Sequence, residues 1–192
     1  LYTRIVDAYN ASKISIQRKH KLGSNEDFFR MQRELYESGE QFPALTKSKY
    51  YPVLRALIAD RVVAFLKKIG QQRKVGKPFD LFIWAAVQEN NVAHKPHIHK
   101  DSLVSGVFYI NVPEECNCAI TFNDPRGALP PFDQNSFVHQ PKNGEFILFP
   151  GWLVHSTGSP SHDDAQGLRV AISFNLMGSW ITTSDISMGS SF

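Results

Sequence analysis

The chain has 192 residues, of which 42% are hydrophobic and 20% charged, a composition that is ordinary for one globular domain. No apolar run approaches the roughly 20 residues that a membrane span needs, so we expect no membrane partner. The net charge of +3 is small, and no aromatic side chains are interleaved with the basic runs, which argues against nucleic acid as a partner.

Residues 1–78 show helical patterning. The sequence Ser24–Asp27 resembles a capping box and predicts the start of one helix. A second helix is predicted after Pro52, because apolar residues from Val53 onward recur at helical spacing and Gly70 supplies a stop. We expect these helices to support a sheet and to carry no chemistry.

From Phe79 onward the apolar period changes from 3.6 to 2, and turn sequences separate short apolar runs. Short strands with regular turns predict a β-sandwich or jelly roll, so the fold class is α+β and mainly β. We expect a single domain over residues 1–192, with helical support in 1–78, the β core in 79–178 and a loose tail in 181–192. The predicted strands are Leu81–Gln88, Leu103–Val112, Ala119–Phe122, Phe146–Phe149 and Leu168–Leu176.

The two cysteines, Cys116 and Cys118, are separated by one residue. This spacing is tight for a disulfide, and two thiols are too few for a zinc cage. We therefore predict free thiols and an intracellular location, cytoplasmic or organellar. The chain begins at Leu1 instead of Met, so we also expect that it has been trimmed.

Metal-binding side chains cluster directly before one predicted strand. His97, His99 and Asp101 stand at i, i+2 and i+4, which places them on one face of an extended chain. His155 follows an apolar strand and enters a turn rich in Ser and Gly, where a more distant ligand is expected. The local pair could be His97 with His99 or His99 with Asp101, and either pair with His155 makes a half-open metal site.

A candidate anion site follows on the last predicted strand. Arg169 and Ser173 are four residues apart and therefore share one face of that strand. A guanidinium matches the two oxygens of a carboxylate and stays charged at any working pH. Tyr109, on an earlier strand, could add a phenolic donor.

Taken together, six motifs resemble a small family of Fe(II)- and 2-oxoglutarate-dependent oxygenases in the prolyl-hydroxylase-like branch of that superfamily. The resemblance covers about residues 80–178. The motifs are His97-x-His99, Ser105-Gly-Val-Phe-Tyr109, Asp124-Pro-Arg126, Pro141-x-x-Gly144, Phe149-Pro-Gly-Trp-x-x-His155 and Arg169-x-x-x-Ser173-Phe-Asn175.

The resemblance implies a double-stranded β-helix with Fe(II) at its mouth, O2 as co-reactant and 2-oxoglutarate as cosubstrate. The 2-oxo acid end of the cosubstrate would chelate the iron. Its far carboxylate would meet Arg169, with Tyr109 and Ser173 as helpers.

The ligand set departs from the usual pattern of the superfamily, which is two histidines and one carboxylate. The family pattern favours His97, His99 and His155, whereas Asp101 in place of His97 would restore the usual set. Four further side chains are expected to contact substrate or to support the site: Trp84, Arg126, Trp152 and Asn175.

The sequence therefore predicts a non-haem iron dioxygenase that hydroxylates, or otherwise oxidises, an unactivated C–H bond of an unknown small molecule or peptide, with release of succinate and CO2. Two alternatives stay open. One is a catalytically silent β-sandwich that binds a ligand or partner, and the other is a three-histidine iron dioxygenase that does not use 2-oxoglutarate. The oligomeric state cannot be predicted from the sequence.

Overall fold

The structure is a computed structural model and describes residues 1–8, 10, 48–71, 80–89, 94–114, 118–127, 135–158 and 167–178. Helix α1 covers residues 2–8, and helix α2 covers Tyr51–Lys68. The helix predicted from Ser24 and the tail predicted over 181–192 lie outside the described residues, so the division of the chain into support, core and tail stays a prediction.

Helix α2 confirms the helix predicted after Pro52. Proline is tolerated there because the N–H groups of a first helical turn have no partner within the helix. Gly70 ends the helix with a φ of 75° and donates its N–H to Lys67 O at 3.2 Å. The buried face is narrower than the predicted stripe, since Val53 is 70% exposed. Its buried residues recur every fourth position: Leu54, Ile58, Val62 and Leu66.

Eight strands follow in the described part of the chain, and five of them match the predicted strands closely. The three that were not predicted have only three or four residues each, and no alternation of apolar and polar residues marks them. The strands are β1 (Leu81–Glu89), β2 (His94–His97), β3 (Ser102–Asn111), β4 (Ile120–Asn123), β5 (Ser136–His139), β6 (Phe146–Pro150), β7 (His155–Thr157) and β8 (Leu168–Met177).

The strands form two four-stranded antiparallel sheets, with the orders β1-β8-β3-β6 and β2-β7-β4-β5. The chain passes repeatedly from one sheet to the other, as in a jelly roll. The predicted fold class, an α+β protein with a double-stranded β-helix, is confirmed.

The two faces of the larger sheet have different neighbours. Val170, Ile172 and Phe174 of β8 pack with the buried face of α2 in one apolar cluster. Ala171 packs on the opposite face with Tyr109 and with Val107 of β3. Odd-numbered residues of β8 therefore face away from the helices, and this is the face on which the polar residues of the strand lie.

The prediction of free thiols is wrong for Cys118, which is buried and disulfide-bonded. The other cysteine of the chain, Cys116, lies outside the described residues. Spacing was a weak argument, because a bent chain can bring two cysteines this close in sequence within the distance that a disulfide spans. The cysteines therefore no longer support the predicted location in a reducing compartment.

Among the described residues, no helix is long and apolar enough to cross a membrane.

Candidate metal centre

The side chains of His97, His99 and His155 converge. Their potential ligand atoms all lie within 4.8 Å of one another. The ring centroids are 4.4 Å apart for His97 and His155, 5.3 Å for His97 and His99, and 5.1 Å for His99 and His155. Asp101 is exposed and lies outside this group in the part of the chain that the structure describes.

Strand pairing brings the distant histidine to the local pair. His97 ends β2 and His155 begins β7, and the two residues stand opposite each other where these antiparallel strands pair. Directly opposite residues project on the same face of a sheet. Two short strands that the sequence did not predict therefore bring His155 next to His97, although the two residues are far apart in the chain.

Backbone carbonyls orient two of the three imidazoles. His97 Nδ1 lies 2.7 Å from Lys95 O, and His155 Nδ1 lies 2.9 Å from Leu153 O. A carbonyl oxygen can only accept, so in the neutral ring Nδ1 carries the proton and Nε2 keeps its lone pair. Both rings are thereby prepared to bind a metal through Nε2.

The site favours neutral imidazoles. Burial, aided by the neighbouring His155, His97 and His94, lowers the pKa of His99 to about 4. Burial also lowers the pKa of His155 to about 4, with the Leu153 carbonyl acting in the opposite direction. At neutral pH these rings offer lone pairs, and a divalent cation could bind without displacing a proton from them.

We expect the metal-free protein to lose stability as the pH falls from about 6.5 to about 4. The folded pKa values of His99 and His155 lie below their ordinary value, so the unfolded state binds more protons in this window. Below about pH 4 the rings are protonated in both states and the loss is complete. Urea unfolding across this range would measure the slope, which should be shallower in His155→Gln. An equal slope in the two proteins would contradict the prediction.

Two aromatic rings lie against His155, one from each sheet. Its ring centroid lies 4.5 Å from that of Phe149 and 6.2 Å from that of Phe122. Phe122 and Phe149 themselves meet at 5.0 Å and so join the two sheets. These rings keep water from one side of the histidine group. Trp152, in the turn just before, is 48% exposed.

Gly151 fixes the loop that carries His99. Its carbonyl accepts a hydrogen bond from His99 N at 2.8 Å. A Cβ at this position would collide with Ser102 O and would lie only 2.9 Å from His99 O. Both neighbours are backbone atoms, which cannot rotate away as the end of a side chain can.

Gly151→Ala is therefore expected to weaken divalent-metal affinity by more than ~10-fold and to lower stability by about 1–3 kcal/mol, the usual penalty for overpacking. Gly144→Ala is the matched control, because a Cβ there meets nothing within 4 Å, although its φ of 80° also disfavours alanine. Isothermal titration with Co(II) would compare the two variants. Equal metal affinities would show that the close contact at Gly151 does not position His99.

The predicted anion-binding residues meet in the interior. The Arg169 guanidinium lies over the ring of Tyr109, 5.7 Å from its centroid. Both residues are buried, and burial lowers the pKa of Arg169 and raises that of Tyr109. Within the described part of the chain, Arg169 Nε and Tyr109 Oη are buried with no hydrogen-bond partner. Unpartnered buried donors are rare, and two at one place fit a carboxylate ligand.

Ser173 lies on the same face as Arg169, as predicted, but Ala171 lies between them. Four residues of strand span about 13 Å, so Ser173 and the Arg169 backbone are well separated. Ser173 stands opposite Val107 on one side and the half-buried Trp84 on the other. It is nearer along β8 to Asn175, whose side-chain nitrogen lies 3.4 Å from His99 Nδ1.

Arg126 lies at an open cavity of about 450 Å³, and none of the three histidines lines it. Its guanidinium pairs with Asp124 at 2.5 Å and holds the pKa of that carboxyl at about 2. Leu153, whose carbonyl orients His155, also lines the cavity. The remaining lining residues are Phe122, Asn123, Pro125, Ser136 and Phe137.

The fold and the site define a double-stranded β-helix with three converging histidines and a buried cation in its interior. Residues 82–175 match the protein family described as putative 2OG-Fe(II) oxygenase. The matched stretch begins in β1, ends in β8 and includes the three histidines and Arg169. The resemblance predicted from the motifs is confirmed, and the family description indicates an oxidoreductase.

Solved structures with a similar course include a prolyl-4-hydroxylase from Pseudomonas putida, with 16% identity, a TM-score of 0.49 and coverage of 80% of each chain. The 2-oxoglutarate-dependent epimerase SnoN of nogalamycin biosynthesis has 20% identity and a TM-score of 0.45, over 72% of this chain and 64% of its own. A cupin domain from Bordetella pertussis has 12% identity and a TM-score of 0.36, over 55% and 88%. No curated protein matches the sequence.

Sequence reasoning missed several residues that shape the site. Gly151 and Ser105 were inside motifs, but no role followed from their residue types alone. Their contacts involve residues far away in the chain, and the presence of a glycine beside Trp152 was the one hint of a close backbone approach. The packing of Phe122 and Phe149 on His155 had no sequence signal.

Proposed function

We propose that this protein is an Fe(II)- and 2-oxoglutarate-dependent dioxygenase that oxidises an unactivated C–H bond and releases succinate and CO2. The observation that carries the proposal is the combination of three converging histidines and an unpartnered buried Arg–Tyr pair in one β-helix. Iron with 2-oxoglutarate and O2 would supply the oxidising power. The family match over residues 82–175 supports this assignment.

Each group of residues has a distinct task in this proposal. His97, His99 and His155 hold the iron through their imidazole nitrogens. Arg169 and Tyr109 bind the far carboxylate of 2-oxoglutarate, where a charged guanidinium and a phenolic O–H can both donate. Ser173 lies on the same face of β8 as Arg169 and is proposed as a further polar contact of the cosubstrate.

The surroundings suit a substrate that arrives from the open side of the smaller sheet. The open cavity has an apolar wall that includes Phe122, whose ring lies 6.2 Å from that of His155, and a charged rim at Asp124 and Arg126. We propose that a small molecule or peptide binds there, and hydroxylation is the expected outcome. The proposal treats residues 1–192 as one domain.

A second candidate is a three-histidine iron dioxygenase that does not use 2-oxoglutarate. The exposure of Asp101, away from the group of three histidines, favours it, because the usual set of the superfamily includes a carboxylate. This candidate leaves the buried Arg169 without a role.

Anaerobic titration of the Fe(II)-loaded protein with 2-oxoglutarate tests the proposal. We expect a weak visible charge-transfer band in the wild type that is lost or much weakened in Arg169→Ala. Arg61→Ala is the matched control, because Arg61 is an exposed arginine on α2 that lies over the Phe146 ring. Iron binding without a band would favour the second candidate. Failure to bind iron would favour a catalytically silent β-sandwich.

A further inference from the structure

We propose that Asn175 positions His99 for metal binding by presenting its side-chain oxygen to His99 Nδ1, at the head of a hydrogen-bond chain that ends on a backbone carbonyl. Such a chain holds the proton of His99 on Nδ1 and leaves Nε2 free for the metal. The inference rests on the proposed function only in taking His99 as a metal ligand.

The hydrogen-bond chain runs through two buried serines. His99 Nδ1 lies 3.4 Å from the Asn175 amide, and the other end of that amide lies 2.8 Å from Ser105 Oγ. Ser105 Oγ lies 3.1 Å from Ser102 Oγ, which donates to Val104 O at 2.7 Å. Strand pairing builds this alignment, because Ser105 of β3 stands opposite Asn175 of β8.

The backbone end sets the direction of the chain. Ser102 Oγ has backbone carbonyl oxygens as two of its neighbours, Val104 O at 2.7 Å and Leu176 O at 3.3 Å. Carbonyl oxygens only accept, so the single hydroxyl proton of Ser102 points to them. Its oxygen is then an acceptor for the hydroxyl proton of Ser105, 3.1 Å away. If Ser105 donated elsewhere, two buried hydroxyl oxygens would face each other with no proton between them.

The amide must then donate to Ser105. In the structure, the amide oxygen of Asn175 faces Ser105 and the nitrogen faces His99. The two ends of an amide have nearly the same shape, and a half-turn exchanges them without moving either position. After the half-turn, the Asn175 nitrogen donates to Ser105 Oγ and the oxygen accepts from His99 Nδ1. Each donor–acceptor pair of the hydrogen-bond chain then has one proton.

The unturned amide would prevent metal binding at His99. With the nitrogen of Asn175 donating to Nδ1, the proton of a neutral His99 would be on Nε2, the nitrogen that a metal needs. His97 and His155 receive their tautomer from backbone carbonyls, so His99 is the one member of the group whose tautomer a side-chain substitution can change.

Metal titration of matched variants tests the role of Asn175. In Asn175→Leu the acceptor is lost, and we expect Co(II) affinity to fall by ~10–100-fold, as for other partners of ligating histidines. Asn175→Asp keeps an acceptor toward His99 and should restore affinity to within a few-fold of the wild type. Asn111 donates a side-chain hydrogen bond to Leu168 O elsewhere in the same sheet. Asn111→Leu removes this bond and should leave Co(II) affinity unchanged.

The outcomes for the two Asn175 variants decide between the two amide orientations. If Asn175 donated to His99, leucine would remove a bond that opposes metal binding, and Co(II) affinity in Asn175→Leu would equal or exceed that of the wild type. That result, or an aspartate as damaging as the leucine, would overturn the proposal. Equal losses in Asn175→Leu and Asn111→Leu would also overturn it, because they would indicate a general effect on the sheet.

The tautomer can be observed without any metal or turnover. Long-range ¹H–¹⁵N correlation spectra of the wild-type metal-free protein at neutral pH should show His99 protonated on Nδ1, and Ser105→Ala should shift the population toward Nε2. A His99 protonated on Nε2 in the wild type would refute the proposal. An inactive protein with the Nδ1 tautomer would count against the oxygenase assignment alone, so the two failures are distinguishable.

Discussion

Replacing His155 with alanine is expected to abolish specific divalent-metal binding and turnover while the protein stays folded. His155 is 4% exposed, and its ring lies within 5.1 Å of both other rings, so its loss leaves only two imidazoles at the edge of the group. The affinity should fall by more than the ~10–100-fold expected when a partner of a ligating histidine is removed. Isothermal titration with Fe(II) or Co(II) under anaerobic conditions would measure it.

His139→Ala is the matched control for this experiment. His139 also lies in the smaller sheet, and it pairs with Glu145 at 3.0 Å instead of joining the group. Its removal should leave metal affinity within about two-fold of the wild type. Retention of one tightly bound metal in His155→Ala would contradict the assignment of His155.

The same titration decides which local residues bind the metal. With His97, His99 and His155 as ligands, Asp101→Ala should bind metal normally, since Asp101 is exposed and outside the group. Loss of binding in Asp101→Ala with retention in His97→Ala would establish the two-histidine, one-carboxylate set instead.

Replacing Arg169 with methionine is expected to stabilise the ligand-free protein and to remove its stabilisation by 2-oxoglutarate. The Arg169 side chain is 5% exposed, and its Nε has no hydrogen-bond partner among the described residues. An unsatisfied buried donor costs about 1–3 kcal/mol, which an apolar side chain of similar length avoids. A bound carboxylate removes the same penalty in the wild type.

Thermal unfolding with and without 2-oxoglutarate would measure both effects. At ~100 times its Kd, a ligand that binds only the folded state stabilises it by about 2.7 kcal/mol, and this gain should be present in the wild type and absent in Arg169→Met. Arg61→Met controls for the loss of an arginine outside the interior. A ligand-free Arg169→Met less stable than the wild type would show that Arg169 has a structural partner and would remove the reason for a carboxylate site.

Local sequence was sufficient to predict the longer elements. The strand Leu168–Met177 and helix α2 each have a long periodic pattern of apolar residues. A pattern of this length identifies the type of secondary structure. The candidate ligands were also visible, because His97 and His99 are close in sequence and His155 lies in a recognisable motif.

Other features had no local signature. The strands β2, β5 and β7 have three or four residues and owe their conformation to their partners in the smaller sheet. The disulfide at Cys118 was also not predicted, because the close spacing of the two cysteines in the sequence had suggested free thiols. The anion site predicted at Arg169 and Ser173 placed both residues on the correct face of the strand. The prediction did not allow for their separation of about 13 Å along the strand.

The sequence by itself determined the jelly-roll class, the polar face of β8 and a set of candidate ligands in which His97 and Asp101 were alternatives. These follow from residue type and from periodicity, which are local properties of the chain. The tertiary structure alone decided that β2 pairs with β7, that Arg169 lies over Tyr109 and that Asn175 joins His99 to two serines. Those contacts join residues tens of positions apart, and their formation depends on strand register, which is set by the packing of the whole sheet.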